Sequence, residues 1–410
     1  MHVLFISEYY PPIIKGGGEI NLSTLAKALA QHNHTVAVLT SSFPELPPYQ
    51  EQEGVEIYRR LKTGENPGSL RSNIIRGFLF PFSVKKETSK IVREINPGLI
   101  HFIGTSIIAA PKLKSLQKPL FATIESYPTL CPKGDRWYHG KEECKITCTF
   151  TEFASCQKDS DEIGKMKNRW YLKYNPFFLA YTYNYYKKLN KALSYCTLIS
   201  ISRYVQQLLA LHGHQSRAIP NILEADALAS PEKNISAGKV KILYLGSLIK
   251  SKGPQILLEA LKGMECRYHC DLYGEGNLKP ELQKIIAENK LDAEIHPPVP
   301  YEKIPELYSA ADIVVFPSLW PEPFGRIAIE AMAAGKIIIG SRAGAIEETI
   351  LPLSGTLVKP GDIIGLKQAI EENSKKIIKL RAGAGPLQKY SQQEVTTKLI
   401  RRYREILEYG

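Results

Sequence analysis

Ile313-Val-Val-Phe316, Pro317-Ser-Leu-Trp320-Pro-Glu322-Pro-Phe324-Gly325, Arg326-Ile-Ala-Ile-Glu330-Ala-Met-Ala-Ala334 and Gly335-Lys-Ile337-Ile-Ile339 follow one another as an apolar run, a proline-rich loop, a segment of helical length and a second apolar run. Neither run alternates polar with apolar residues, so each predicts a strand buried on both faces. The unit recurs along the chain. Similar runs lie at 3–6, 36–39, 99–102, 120–124, 197–201, 240–245 and 268–273, with helical lengths such as 18–31, 254–262 and 278–289 between many of them. Strand, helix, strand repeated in this way predicts an α/β protein with doubly wound parallel sheets.

Working outward, the stretch from 218 to 239 has linker character, with Ile219-Pro-Asn-Ile-Leu-Glu224 and then Ser230-Pro-Glu-Lys-Asn-Ile-Ser-Ala-Gly238. The series therefore divides into two Rossmann-like domains, 1–220 and 221–390. Residues 391–410 carry Val395, Leu399, Ile400, Tyr403, Ile406 and Leu407 at helical spacing. This predicts a closing amphipathic helix packed back toward the first domain. Ligands of open α/β sheets bind beyond the carboxyl ends of the strands, so two such domains predict a functional cleft between them.

The bulk numbers agree with a large globular chain. At ~150 residues per domain, 410 residues suffice for two to three domains. A composition of 44% hydrophobic and 23% charged residues excludes a disordered, collagen-like or disulfide-stapled chain. The net charge of +12 favours polyanionic partners: nucleic acid, anionic lipid or phosphorylated small molecules. No basic segment followed by a long apolar stretch opens the sequence, and no run approaches the ~18–20 apolar residues of a spanning helix. The expectation is a cytoplasmic protein, peripheral at most on the inner face of a membrane.

Within the opening stretch, Glu322 falls in the loop after a strand, and Phe324 and Gly325 fall where the next helix begins. A helix start offers unpaired N–H groups and partial positive charge to a diphosphate or a sugar. Glu330 lies eight residues on. Two carboxylates so placed suit two sets of hydroxyls; taken alone, they read equally as a surface loop residue and a solvated helix position.

The run from Glu322-Pro-Phe-Gly325 to Glu330-Ala-Met-Ala, with Asp312 and Pro317-Ser318 before it and Gly335 after it, resembles the two-glutamate motif of glycosyltransferase family four, the retaining, nucleotide-sugar-dependent enzymes of the GT-B fold. Tyr9-Tyr-Pro-Pro12 with Gly16-Gly-Gly-Glu19, Pro220-Asn221, Leu245-Gly246 with Lys252-Gly253, and Tyr273-Gly-Glu-Gly276 follow the family's order over nearly the whole chain. The resemblance implies catalytic roles for Glu322, Lys252 and Glu125. It implies donor binding by Gly17, Gly18, Ser247, Gly274, Phe324, Gly325 and Glu330, with Glu330 on the ribose and Lys252 on the diphosphate. No cofactor or catalytic metal is implied, only a nucleoside diphosphate sugar as donor substrate.

Two departures stand out. The family's arginine after the first strand of the second domain is absent, since Gly246 is followed by Ser247-Leu248, and Lys250 or another basic residue would have to replace it. The family's histidine before Cys131-Pro132 is Glu125, and an ionised carboxylate there accepts hydrogen bonds but donates none. These departures keep open a non-catalytic GT-B relative that binds a nucleotide or a protein.

Two features lie outside the motif. Cys131, Cys144, Cys148 and Cys156 are spaced by thirteen, four and eight residues. With one short C-x3-C pair, reduced thiols are the plainer reading and a structural zinc site the alternative. Between Ile163 and Lys191, basic residues alternate with Trp170, Phe177, Phe178 and many tyrosines without an acidic residue. This predicts either a core-facing helix with a basic outer face or a surface for anionic headgroups. The acceptor expected is a lipid-linked or membrane-surface glycan; no nucleic-acid motif accompanies the basic segment, and no nucleic-acid partner is expected.

Overall fold

The computed structural model describes residues 1–64, 75–159, 173–224, 238–350, 355–375 and 385–409. Lys165, Lys167, Arg169, Trp170 and Tyr171 of the basic aromatic stretch lie outside the described residues.

The first half holds β1 (His2–Ile6), β2 (Thr35–Ser41), β3 (Tyr49–Gln52), β4 (Val55–Leu61), β5 (Leu99–Ile103), β6 (Leu120–Ile124), β7 (Trp137–Tyr138), β8 (Glu142–Glu143), β9 (Thr197–Ser200) and β10 (Ser216–Ala218). Eight of them form one sheet in the order β10-β9-β6-β5-β1-β2-β4-β3, and β7 pairs with β8 alone. All neighbours in the large sheet are parallel except β3 and β4. The second half holds β11 (Val240–Leu245), β12 (Tyr268–Tyr273), β13 (Ala293–His296), β14 (Ile313–Phe316), β15 (Ile337–Ser341) and β16 (Thr356–Val358), all parallel, in the order β13-β12-β11-β14-β15-β16. The order is that of a doubly wound dinucleotide-binding sheet, and it reverses direction between β11 and β14.

The central strands are buried on both faces, as their unbroken apolar runs require: Val3, Leu4, Phe5 and Ile6 are all fully enclosed. The strands without such runs are peripheral. β4 reads Val-Glu-Ile-Tyr-Arg-Arg-Leu, with Glu56 and Arg60 half-buried and Arg59 buried, and β13, at the edge of its sheet, reads Ala-Glu-Ile-His.

Helix α1 (Gly17–Gln31) covers one face of the first sheet, packing Leu22 and Leu29 against Val3, Phe5, Val36 and Val38. Helix α2 (Phe80–Ile95) covers the other, through Phe80, Val84 and Ile91. Helix α3 (Pro176–Leu193) buries Leu179, Tyr186, Leu189, Ala192 and Leu193 and leaves Lys187, Lys188 and Lys191 exposed, so this part of the basic aromatic stretch has a core face and a basic outer face. Helix α4 (Arg326–Ala333) follows the loop of the second sheet that carries Glu322.

The last helix, α5 (Gln392–Tyr409), returns to the first sheet and inserts Val395, Leu399 and Tyr403 beside α1. There the Tyr403 hydroxyl meets Nδ1 of His101 at 2.5 Å, and Thr123 Oγ1 meets Nε2 at 2.8 Å. Burial holds His101 down to about 3, so it is a neutral hydrogen-bonding core residue.

Candidate functional site

Loops at the carboxyl ends of both sheets enclose a cleft of about 580 Å³. From the first sheet come Ser7, Glu8 and Gly16 to Gly18 after β1, Gly104 and Thr105 after β5, and Glu125 after β6. From the second come Lys252 after β11 and Trp320, Glu322, Phe324, Gly325 and Arg326 after β14. β11 and β14 flank the point where the strand order reverses, where ligands of open α/β sheets bind.

Glu322 is only 5% exposed. Its Oε1 accepts from Lys252 Nζ, Ser318 Oγ and Trp320 Nε1, each at 2.7 Å. Lys252 also stands 4.6 Å above the Trp320 ring, a cation–π contact. The Lys252 turn is tied to the Glu322 loop, since Leu319 N–H donates to the Ser251 carbonyl at 2.8 Å. Gly344 completes the arrangement: at φ +64 it lies against the Glu322 backbone so closely that a Cβ would sit 2.4 Å from the Glu322 carbonyl oxygen.

The Glu322 loop is also pinned from the first domain. Tyr127 donates to the Pro321 carbonyl at 2.8 Å and Ser202 to the Pro323 carbonyl at 2.7 Å. Thr349 donates to the Phe324 carbonyl at 3.0 Å from within the second domain. Tyr127 further meets the Trp320 ring edge to face, centroids 5.7 Å apart.

Glu125 faces this loop across the cleft. Some of its surface is open, but its carboxyl is densely surrounded by protein, and that burial pushes it up to about 8. Burial therefore favours the protonated form, in which Glu125 can donate as well as accept. Asn21 hydrogen bonds to Glu125, and Asn21 Oδ1 accepts from Arg326 Nη1 of the second domain. Gly18 makes room for this carboxyl, since a Cβ there would stand 2.7 Å from Glu125 Oε2. Gly17 starts α1 beside the Arg326 side chain, 3.9 Å from where its own Cβ would be.

Glu330 is 3% exposed and is absent from the cleft lining. Its oxygens accept from Tyr301 at 2.8 Å, Tyr308 at 3.0 Å and Arg326 Nε at 2.6 Å. Burial, with the Glu330 charge beside them, holds both tyrosines protonated as donors, Tyr301 pushed up to about 12. In this arrangement Glu330 orients Arg326. Ser247 and Gly274 are likewise off the cleft lining. Ser247 offers its carbonyl to Tyr244, and Gly274 lets the β12 loop press on the β11 loop, where a Cβ would fall 1.9 Å from the Gly246 oxygen.

Sequence reasoning missed Arg326, Asn21, Tyr127 and Ser202. Arg326 lies inside the motif, and a cation at a helix start, where the helix end is itself partly positive, is the one signal that marks it. Lys250, the suggested replacement for the missing arginine, is exposed; the cations lining the cleft are Lys15, Lys252 and Arg326.

Comparison with known proteins gives the family and the fold. Residues 15–226 match the description Glycosyltransferase Family 4, and residues 227–382 match Glycosyl transferases group 1. An uncharacterised protein of the cps region of Klebsiella pneumoniae is 23% identical over 394 residues, covering 92% of this chain and 96% of that protein. Among solved structures, sucrose-phosphate synthase from Thermosynechococcus elongatus superposes with a TM-score of 0.74 at 20% identity, covering 100% of this chain and 99% of that one. HepE from Anabaena, solved in complex with UDP and glucose, superposes with a TM-score of 0.67 at 19% identity over 100% of both chains. With both halves of its sequence matched and both sheets arranged around one cleft, the chain belongs to glycosyltransferase family 4 and has the GT-B fold.

Proposed function

We propose that this glycosyltransferase moves a hexose from a nucleoside diphosphate sugar to an acceptor hydroxyl with retention at the anomeric carbon. The observation that carries the reading is the Lys252–Glu322 pair at the reversal point of the second sheet, facing Glu125 across the cleft. The bond from the anomeric carbon to the diphosphate oxygen breaks, the acceptor oxygen bonds to that carbon on the same face, and the acceptor proton passes to the departing diphosphate. Charge gathers on the diphosphate as the bond breaks. Lys252, with amides near Phe324 and Gly325, stabilises it there. Glu322 and protonated Glu125 supply an acceptor and a donor for sugar hydroxyls, and no separate protein base is required.

For the acceptor, the surface of the first domain favours a lipid-linked or membrane-surface glycan. Phe78, Phe82 and Phe177 are 62%, 61% and 85% exposed. Phe78 stacks on Tyr181, one turn of α3 from Phe177, so these rings share one face. Lys85 and Lys86 of α2 are exposed beside Phe82 in sequence. Apolar rings among lysines suit an interface with anionic headgroups. No helix of the described residues is long and apolar enough to cross a membrane.

The test is a panel of UDP-, GDP- and ADP-sugars, reading released nucleotide and thermal stabilisation. One donor that both stabilises and turns over is the expected outcome; stabilisation by none at millimolar concentration overturns the reading. A second reading, nucleotide binding without turnover, draws on Glu330, whose oxygens are occupied by Tyr301, Tyr308 and Arg326. Stabilisation without release, with any acceptor offered, would favour it.

A further inference from the structure

The zinc alternative for the four cysteines does not fit their placement. No three of the Cys131, Cys144, Cys148 and Cys156 sulfurs lie within 4.8 Å of one another, and the Cys144, Cys148 and Cys156 thiols donate to the Ile146, Thr149 and Trp137 carbonyls. Among the described residues, a donor set that does gather stands at the edge of the second sheet. Ligand atoms of Asp271, Glu294 and His296 all lie within 4.8 Å of one another.

Strand geometry brings these residues together. Along β12, His269, Asp271 and Tyr273 point to one face, while Cys270 and Leu272 are enclosed on the other. Asp271 pairs with Glu294 of β13 and Tyr273 with His296, so Glu294 and His296 share that face. Further into the sheet the same face is apolar: Leu243 and Leu245 of β11, paired with Asp271 and Tyr273, join a core with Ala328 and Ile329 of α4. At β12 and β13 it is open enough for an ion to enter, since the His269, Asp271 and His296 side chains are 28–31% exposed and Glu294 65%.

His296 Nε2 stands 2.6 Å from Asp271 Oδ1 and 3.9 Å from Glu294 Oε2. His269 Nε2 stands 3.4 Å from the same Asp271 oxygen. One carboxylate oxygen is thus met by two imidazole nitrogens from different strands. Each imidazole is also held from behind. His269 Nδ1 meets Asp292 Oδ1 at 2.7 Å, Asp292 Oδ2 meets Lys239 Nζ at 2.6 Å, and His296 lies on the Tyr273 ring with centroids 4.5 Å apart. A neutral imidazole whose Nδ1 donates to a carboxylate presents Nε2 as a lone pair, the orientation of histidines that ligate metals. Two imidazole nitrogens with two carboxylate oxygens suit zinc; calcium and magnesium take oxygen donors. A tetrahedron of ~2.0–2.1 Å bonds has edges of about 3.3 Å, between the 2.6 and 3.9 Å separations found here.

We propose that Asp271, Glu294 and His296, with His269 as fourth ligand, bind one zinc ion at the edge of the second sheet, outside the cleft lining. The ion takes the place of the proton shared by His296 and Asp271 and braces the carboxyl ends of β12 and β13. From there the Gly274 N–H donates to the His296 carbonyl at 3.1 Å, and the Leu248 N–H donates to the Glu275 carbonyl at 2.8 Å. The brace therefore reaches the loop that leads to Lys252. It supports that loop, takes no part in sugar transfer, and stands apart from the activity proposed above.

The test is cobalt(II) titration of the reduced full chain, with zinc as competitor. Expected are one equivalent of cobalt with the visible bands of a nitrogen and oxygen site, their loss on adding zinc, and a rise in melting temperature with zinc. His296→Gln, Asp271→Asn and His269→Gln should each weaken cobalt binding ~10-fold or more. All three should keep the parent's circular dichroism, because these side chains are partly exposed. The Cys144→Ser, Cys148→Ser double variant should bind as the parent does. A folded parent without stoichiometric cobalt or zinc binding overturns the proposal, as does parental affinity in any of the three ligand variants. A first equivalent that brings a sulfur-to-cobalt charge-transfer band places the ion on thiols and overturns it too.

Discussion

Lys252 Nζ and Glu322 Oε1 meet at 2.7 Å, although the two residues come from strands on opposite sides of the point where the second sheet reverses its order. The carboxylate side is 6% exposed and the ammonium side 24%, so the partners are not equivalent. Lys252→Met leaves a nearly buried carboxylate with only Ser318 and Trp320 as donors. We expect it to lose about 1–3 kcal/mol of stability, below the range for a fully buried pair. Glu322→Gln leaves an ammonium that water can reach and should lose less. Lys252→Met should lower donor turnover by ~100-fold or more, as removing a group that meets developing charge does, and Glu322→Gln should lower it by removing an acceptor for a sugar hydroxyl. Urea melts and nucleotide-release assays check the two effects separately; a Lys252→Met protein with parental turnover refutes the assignment.

Glu125 makes stability depend on pH in a definite sense. Its folded value, about 8, lies above the usual carboxylate value of 4.5. The folded chain therefore holds a proton that the unfolded chain releases, and stability falls as pH rises between those two values. Glu19 adds to the rise, while Asn21 and Arg326 oppose it. Glu125→Gln removes the dependence: its melting temperature should gain on the parent's from pH 5 upward and stop gaining above pH 8. If protonated Glu125 donates to the sugar, parental turnover also declines above pH 8, and the variant lacks that decline.

Two hydroxyls of the first domain hold the Glu322 loop of the second. Tyr127→Phe and Ser202→Ala each remove one hydrogen bond to the Pro321 or Pro323 carbonyl, worth about 1 kcal/mol. Neither change empties much volume. The expected result is a several-fold fall in turnover per enzyme with little change in thermal stability, and a greater fall in the double variant. Unchanged kinetics in the double variant would show that the loop is placed without them.

Gly344→Ala and Gly18→Ala should behave differently. At Gly344 the new Cβ meets Glu322 and Pro321 backbone at 2.4–2.8 Å with φ at +64, so the chain must shift, at a cost above about 1 kcal/mol. At Gly18 it meets only the Glu125 carboxyl, 2.7 Å from Oε2, and no backbone. That variant should keep its melting temperature and lose the Glu125-dependent limb of the pH profile.

Exposed rings of the first domain should mediate contact with anionic bilayers. Replacing Phe78, Phe82 and Phe177 together by Ser should abolish flotation with phosphatidylglycerol vesicles and spare hydrolysis of the donor in solution. A parent chain that never floats with such vesicles removes the membrane reading and leaves the donor chemistry untouched.

The sequence by itself determined that the sheets are parallel and doubly wound, because a strand covered on both faces must be apolar at every position: 3–6, 313–316 and 337–339 record that locally. It also marked Glu322 and Lys252, whose loops follow such strands directly. Strands at 55–61, 216–218, 293–296 and 356–358 escaped notice since they lie near sheet edges, where polar residues are tolerated. Only the tertiary structure decided which residues meet across the cleft. Arg326 and Asn21 are 305 positions apart, Tyr127 and Pro321 194, and Ser202 and Pro323 121. The burial that pushes Glu125 up was decided there as well, for its neighbours in sequence say nothing of the protein that encloses its carboxyl. Local patterning reports whether a side chain faces protein or water; the identity of a distant partner, and the charge a carboxyl keeps beside it, follow from packing alone.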